Sequence, residues 1–290
     1  MKKLGIIFCA VFMLGATLFT FLRPSITEEK SSTVVQDYSI LEIDSYLKKK
    51  NEAIAFSDVQ TTEELRHLLN DYDYDNTPRI FVRNFPADFK EKGDLSLFVR
   101  TLLPHILREN ELLSLERKAF LKLADKIKMH QNLTPKETAF FNDLVLKYEV
   151  LKPDLAGQAD KLYDQVDRIS PSLAIVQALY GTMYMDENFN SPFDVYRWNK
   201  EKQYERVIYP NLAEAVADYA LELNRGISYD SFHHKRSIYR DTQYELPGSV
   251  FAGDLSLYMI EEKEYTDTLL LLFNDIDSYE LDLATFKKGK

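Results

Sequence analysis

The chain has 290 residues, 45% of them apolar and 28% charged, with 9 glycines and 10 prolines. That composition can build a core and excludes a collagenous, linker-like or wholly disordered chain. Lys plus Arg total 36 against 46 Asp plus Glu, a net charge of −10 without a basic block, which excludes a duplex nucleic-acid binder built on clustered cations. The one cysteine, Cys9, excludes an intramolecular disulfide and a cysteine zinc site.

Residues 4–22 read LGIIFCAVFMLGATLFTFL, 19 residues without a charge. As a helix they would span about 28 Å, close to a bilayer core. Lys2, Lys3 and the α-amino group precede them, and Arg23 alone follows before Glu28 and Glu29. The positive-inside rule then leaves the N-terminus in the cytoplasm and the remainder outside. A cleavable signal peptide is the competing reading. Its best small-residue site, Leu14–Ala16, is a poor match, so an uncleaved signal anchor is expected over residues 1–23. In a two-membrane bacterium that makes the protein periplasmic and held at the inner membrane; cleavage would make it secreted.

Residues 24–75 read as a polar tether followed by N-terminal helices, with helical patterning from about Asp37. Thr61-x-x-Glu64 is a capping box, and RIFVRNF (79–85) reads as extended. Residues 95–127 form a long helical stretch, bent or broken at Pro104. Thr134-Pro135-Lys136-Glu137 places an N-cap, a proline at N1 and a glutamate at N3, a strong helix start. Lys152–Gln158 reads as a loop because of Pro153 and Gly157. Ser170-Pro171 opens a helix, SLAIVQALY, which is apolar almost all round and belongs at the centre of the core. The segment 182–198 is irregular and aromatic, and YERVIY (204–209) looks like a strand. Asn211-x-x-Glu214 starts another helix, which Arg225-Gly226 ends. Further helices follow over 228–240 and 251–276. The expected fold is mainly α with a small β element near 182–210.

Five segments in order resemble the bacterial Bax-type glucosaminidase family: PRIFVRNFPADF, LFVRTLLPHILRENELL, LTPKETAFFNDL, VDRISPSLAIVQALY and AVADYALELNRGISYDSFHHKRS. They span roughly residues 76–278, leaving 279–290 as a C-terminal tail. The family is similar to the flagellar-type hydrolases that cut peptidoglycan at N-acetylglucosamine. The resemblance implies a lysozyme-like helical fold with a groove and a small β lobe, and hydrolysis of a β-1,4 glycosidic bond. It also implies a general-acid glutamate at the end of the central helix, in the text S-L-x-x-x-Q-A-x-x-E-S-G-W-G. This chain keeps Ser172, Leu173, Gln177 and Ala178, but the glutamate position falls on Gly181. The family's Asn-Asn-x-Phe-Gly corresponds to Asn190–Asp194, where the first Asn and Phe193 survive.

Glycoside cleavage needs a proton delivered to the leaving oxygen, and Gly181 has none to give. Its simplest structural role is the left-handed residue that ends the helix. Asp186 and Glu187 are the nearest carboxylates and are either a relocated acid or a solvated loop. Gln177, on an apolar helix, either ties that helix to a neighbouring backbone or touches sugar. Tyr184, at the family's Trp position, with Phe193, Tyr196 and Trp198 forms either a sugar-stacking platform or the packing of the β lobe. His233 and His234 are adjacent, about 100° apart on a helix, so no shared metal is expected. No cofactor motif is present: there is no glycine-rich phosphate loop and no His-Glu-x-x-His. The expectation is a membrane-anchored, catalytically degenerate wall protein that binds a peptidoglycan glycan strand or a cell-wall enzyme. The alternatives are an active N-acetylglucosaminidase using Asp186 or Glu187, and a structural adaptor that gives the old groove to a protein partner.

Overall fold

A computed structural model describes residues 38–57, 92–184, 191–193, 195–198, 201, 203–226, 228–242, 246–258, 262–275 and 281–282. The anchor over 4–22, the tether, the Thr61 capping box and the 79–85 segment lie outside the described residues. Among the described residues no helix is long and apolar enough to cross a membrane.

The architecture is mainly helical. In chain order the elements are α1 (Tyr38–Ser57), α2 (Lys92–Lys128), α3 (Pro135–Lys147), α4 (Leu155–Gln165) and α5 (Pro171–Tyr184). A hairpin of β1 (Tyr196–Trp198) and β2 (Tyr204–Arg206) follows, then α6 (Leu212–Asn224), α7 (Asp230–Thr242) and the single turn α8 (Gly248–Phe251). A 3₁₀ segment (Ala252–Tyr258) and α9 (Glu262–Asp275) complete the described elements. The compact unit runs from Asp37 to Lys290, so α1 belongs to the same body as the helices after residue 76.

The long helix α2 has 37 residues and continues through Pro104 without a break. At 1.5 Å per residue it runs about 55 Å. Losing one backbone donor at Pro104 is tolerated because the surrounding turn is packed: Leu102, Leu103, Ile106 and Leu107 are all buried. Two apolar clusters share this helix. Its first half, with α5, α6, α7 and α9, forms one of them. Its second half contributes Ala119, Phe120, Leu123, Ala124 and Ile127 to the other, with α1, α3 and α4. The helix α5 lies deepest: Leu173 to Val176, Ala178 and Leu179 are completely buried, as its all-round apolar text requires.

Local chemistry sets most helix starts. Thr134 is the N-cap of α3, with Pro135 at N1 and a reciprocal capping box with Glu137. Asn211 caps α6 by accepting the Glu214 N–H at 2.9 Å, and Gly226 (φ +71) turns the chain away after it. The loop expected over Lys152–Gln158 is shorter than that. Asp154 accepts the Gly157 N–H at 2.8 Å and starts α4 at Leu155, so Gly157 lies inside a helix. The capping strength of Asp outweighs the entropic cost of one glycine. The strand expected over 204–209 is limited to Tyr204–Arg206, paired antiparallel with β1 so that Arg197 faces Glu205.

Glu137 also joins elements. Its carboxylate has no solvent exposure and accepts from Ser39 of α1 and from Lys126 of α2. Burial pushes this carboxyl up, but the bonds from Lys126, Ser39 and Thr134 outweigh it and hold it below the usual glutamate range. A depressed carboxyl contributes stability above its unfolded-state pKa and loses it as pH falls through the folded value. Glu137→Gln should therefore lower stability by about 1–2 kcal/mol at neutral pH. The difference from the parent chain should shrink to nothing as urea titrations are taken to acid pH.

Candidate functional site

The expected catalytic position lies on α5. Gly181 is buried and helical, and the helix runs on to Tyr184. It is not the left-handed terminator expected from the sequence; among the described residues the glycine with positive φ is Gly226. Residues 177, 181 and 184 share one face of α5 by their i, i+4 and i+7 spacing. Beneath Gln177 that face is closed. The Gln177 amide donates to the Tyr265 hydroxyl of α9 and accepts from the Tyr219 hydroxyl of α6. Its partners are thus two tyrosine side chains, where a neighbouring backbone was expected. Phe193 is 2% exposed and stacks on Tyr219, with ring centroids 4.1 Å apart and planes within 10°. Tyr180, next to Gly181, meets Tyr265 edge-on at 4.8 Å.

The other candidates are placed less completely. Tyr196 is half-buried on β1. Tyr184 ends α5 and Trp198 ends β1, but their side chains lie outside the described residues, as do Asp186 and Glu187. The two histidines differ in burial. His233 is buried with Nε2 at 2.8 Å from the Leu223 carbonyl, and His234 is exposed. Burial, then the nearby Arg236, pushes His233 down to about 3, so it stays neutral. Among the described residues no group of three or more His, Cys, Asp or Glu is placed to hold a metal ion.

A second feature was not legible in the sequence. A cavity of about 460 Å³ opens where the two apolar clusters meet. The α2 wall presents His105, Glu109, Leu112 and Glu116 at spacings of three to four residues, one continuous face. The α6 wall presents Ala213, Glu214, Ala217 and Asp218; Tyr46, Lys50, Arg108, Lys147, Arg197 and Tyr209 also line the cavity. The small side chains of Ala213 and Ala217 leave the space open.

Two of the lining carboxylates, Glu116 and Asp218, are each held by a cation and a phenol. Glu116 is 1% exposed and accepts from the Lys147 ammonium at 2.8 Å and from the hydroxyls of Tyr46 and Tyr148. Burial, reinforced by Glu116, pushes both phenols well above their ordinary value, so they remain donors. Asp218 accepts from Arg197 and Tyr209. Glu109 differs. Burial pushes its carboxyl up, Lys147 and Lys50 oppose this and Glu116 adds to it, with no hydrogen bond among the influences. A desolvated carboxyl in a cavity is a common mark of a functional site. The i, i+4, i+7 text of α2 carried the signal, but only the packing of α6 against it shows that the polar positions face a cavity.

No protein-family model, no curated protein and no solved structure matches this chain.

Proposed function

We propose that this chain is a catalytically degenerate, glucosaminidase-like protein of the bacterial wall, anchored at the inner membrane through residues 4–22 and binding peptidoglycan or a wall enzyme without cutting glycan. The observation that carries this reading is the backbone-only position 181. It lies on a buried helix face whose adjoining turn is clamped by Tyr219 and Tyr265, and a glycine there offers no proton. Losing general-acid help alone slows such a reaction about 10²–10⁴-fold. A second reading, the structural adaptor, draws support from Gln177 and Phe193, whose polar atoms and ring face are already engaged within the fold.

The test is incubation of the chain with purified peptidoglycan, following reducing ends and released muropeptides. No release above background is expected. Release abolished by Glu187→Gln or Asp186→Asn would overturn the degenerate reading in favour of a relocated acid. Retention on sedimented peptidoglycan separates the glycan binder from the adaptor, which should stay in solution. Activity gained in Gly181→Glu would show that the remaining site still accepts substrate, which an adaptor's filled groove would not.

A further inference from the structure

The lining of the cavity between α2 and α6 is balanced in charge. Lys50, Arg108, Lys147 and Arg197 are its cations. Glu109, Glu116, Glu214 and Asp218 are its carboxyl groups. Burial, then Arg108, pushes His105 down to about 4, so it adds no charge at neutral pH. Two pairs are closed: Lys147 with Glu116 and Arg197 with Asp218. The Tyr46 and Tyr209 hydroxyls are spent on those same carboxylates. Two groups of each sign remain. Glu214 is exposed in the first turn of α6, where it accepts from the Asn211 amide at 3.1 Å. Lys50 is exposed on α1, its ammonium 5.9 Å from the centre of the Tyr46 ring. Arg108 adjoins Glu109 on α2, and the influences on Glu109 are burial, Lys147, Glu116 and Lys50, none of them a hydrogen bond.

A ligand of net charge would leave one charge unmatched in this half-enclosed space, which is costly. A zwitterion keeps the balance and engages both signs. Its ammonium brings the N–H donors that Glu109 lacks. Its carboxylate is attracted by Lys50 and Arg108 and turned away from the α6 wall by Glu214. Leu112, Leu113 and Leu221 give apolar surface for one side chain, and Ala213 and Ala217 leave it room. We infer that this cavity binds a small zwitterion with an apolar side chain, an amino acid or dipeptide, with its ammonium on Glu109 and its carboxylate toward Lys50 and Arg108. The volume of about 460 Å³ falls within the range of small-ligand sites. Burial pushes the Glu109 carboxyl up, and an ammonium beside it favours the ionised form and opposes that push. The inference depends neither on position 181 nor on the wall-binding reading.

The experiment is calorimetric titration of the full chain at neutral pH with leucyl-alanine, its N-acetyl derivative and its C-terminal amide. Saturable binding of the free dipeptide is expected, with each blocked derivative weaker by about tenfold or more. Glu109→Gln should weaken the free dipeptide by about tenfold or more. It should change the affinity for the N-acetyl derivative less than about twofold, since that ligand has no ammonium to lose. Lys50→Ala should weaken the free dipeptide about threefold and leave the amide unchanged. A merely structural role for either residue would move the free and blocked ligands alike. Ala217→Leu, which fills the apolar space, should weaken the free dipeptide about tenfold or more. Should a variant fail to fold, the three ligands on the parent chain decide the matter. An absence of saturable binding overturns the assignment. So does either blocked derivative binding as tightly as the free dipeptide, free-dipeptide affinity unchanged in Glu109→Gln, or tighter binding of neutral chitobiose. Retention on sedimented peptidoglycan tests the wall-binding reading separately, and neither result decides the other.

Discussion

Arg236→Met should lower unfolding free energy by about 3 kcal/mol and the melting temperature by roughly 10 °C. Arg236 is 1% exposed, and burial pulls its guanidinium down to about 10 against the opposing pull of Asp167; it is charged at neutral pH. Removing that charge recovers its desolvation cost. The losses outweigh this gain. Arg236 Nη2 donates to the Gln165 carbonyl at 2.8 Å and reaches the Asp164 carbonyl at 3.4 Å, and Nη1 donates to the Arg168 carbonyl at 3.3 Å. These carbonyls lie at and just beyond the C-terminus of α4, where the intrahelical donors have run out. Arg117 closes the same end, donating to Tyr163 at 2.8 Å and Val166 at 2.6 Å. Two cations at a helix C-terminus also suit its dipole. Asp167 would keep Arg240, which holds it at 2.8 Å. Chemical denaturation of Arg236→Met and Arg240→Met checks the ranking: the first should be clearly the more destabilising. Equal effects would mean that the carbonyl bonds contribute little.

Gly248→Ala should be the most damaging small substitution, costing about 2–3 kcal/mol. A Cβ there would lie 2.6 Å from the Leu173 backbone nitrogen, 2.6 Å from Ser170 Oγ and 2.3 Å from Ser172 Oγ. The two hydroxyls can rotate, but the Leu173 nitrogen belongs to the first turn of the most buried helix and cannot. The same point carries a cap made from distant sequence. Asp282 accepts the Ser172 N–H at 2.9 Å and the Gly248 N–H at 3.1 Å, and also both serine hydroxyls. Ser170 Oγ takes the Leu173 N–H at 3.1 Å, so the start of α5 is satisfied only with Leu281–Asp282 docked. Gly253→Ala is the control: its Cβ would meet nothing within 4 Å, and the melting temperature should stay within a degree or two of the parent. A Gly248→Ala chain that melts with the parent would show that α8 can move away freely.

The helix starts were readable because each is a local hydrogen-bonding event. Thr134, Ser170-Pro171 and Asn211 signal within four residues, and α3, α5 and α6 begin there. The misreadings were local too, where two signals conflict. Gly157 suggested a loop and Asp154 a cap, and the cap prevailed. Pro104 suggested a break, and the packing of α2 on both sides carried the helix through it. Gly181 suggested a helix end, yet α5 runs three residues further. Glycine tolerates either conformation, so residue type alone could not decide.

The amino-acid text by itself determined the helical class, the capped helix starts, the centrality of α5 and the lack of any side chain at position 181. Periodicity, capping and side-chain chemistry act over a few residues or at one atom, and nothing remote can change them. Only the tertiary structure decided that Gln177 is held by Tyr219 and Tyr265, that Asp282 seals the start of α5, that three arginines gather around the end of α4, and that Glu109 faces a cavity. Each of these joins groups tens of residues apart, and such neighbours are chosen by the packing of whole helices, which no local pattern encodes.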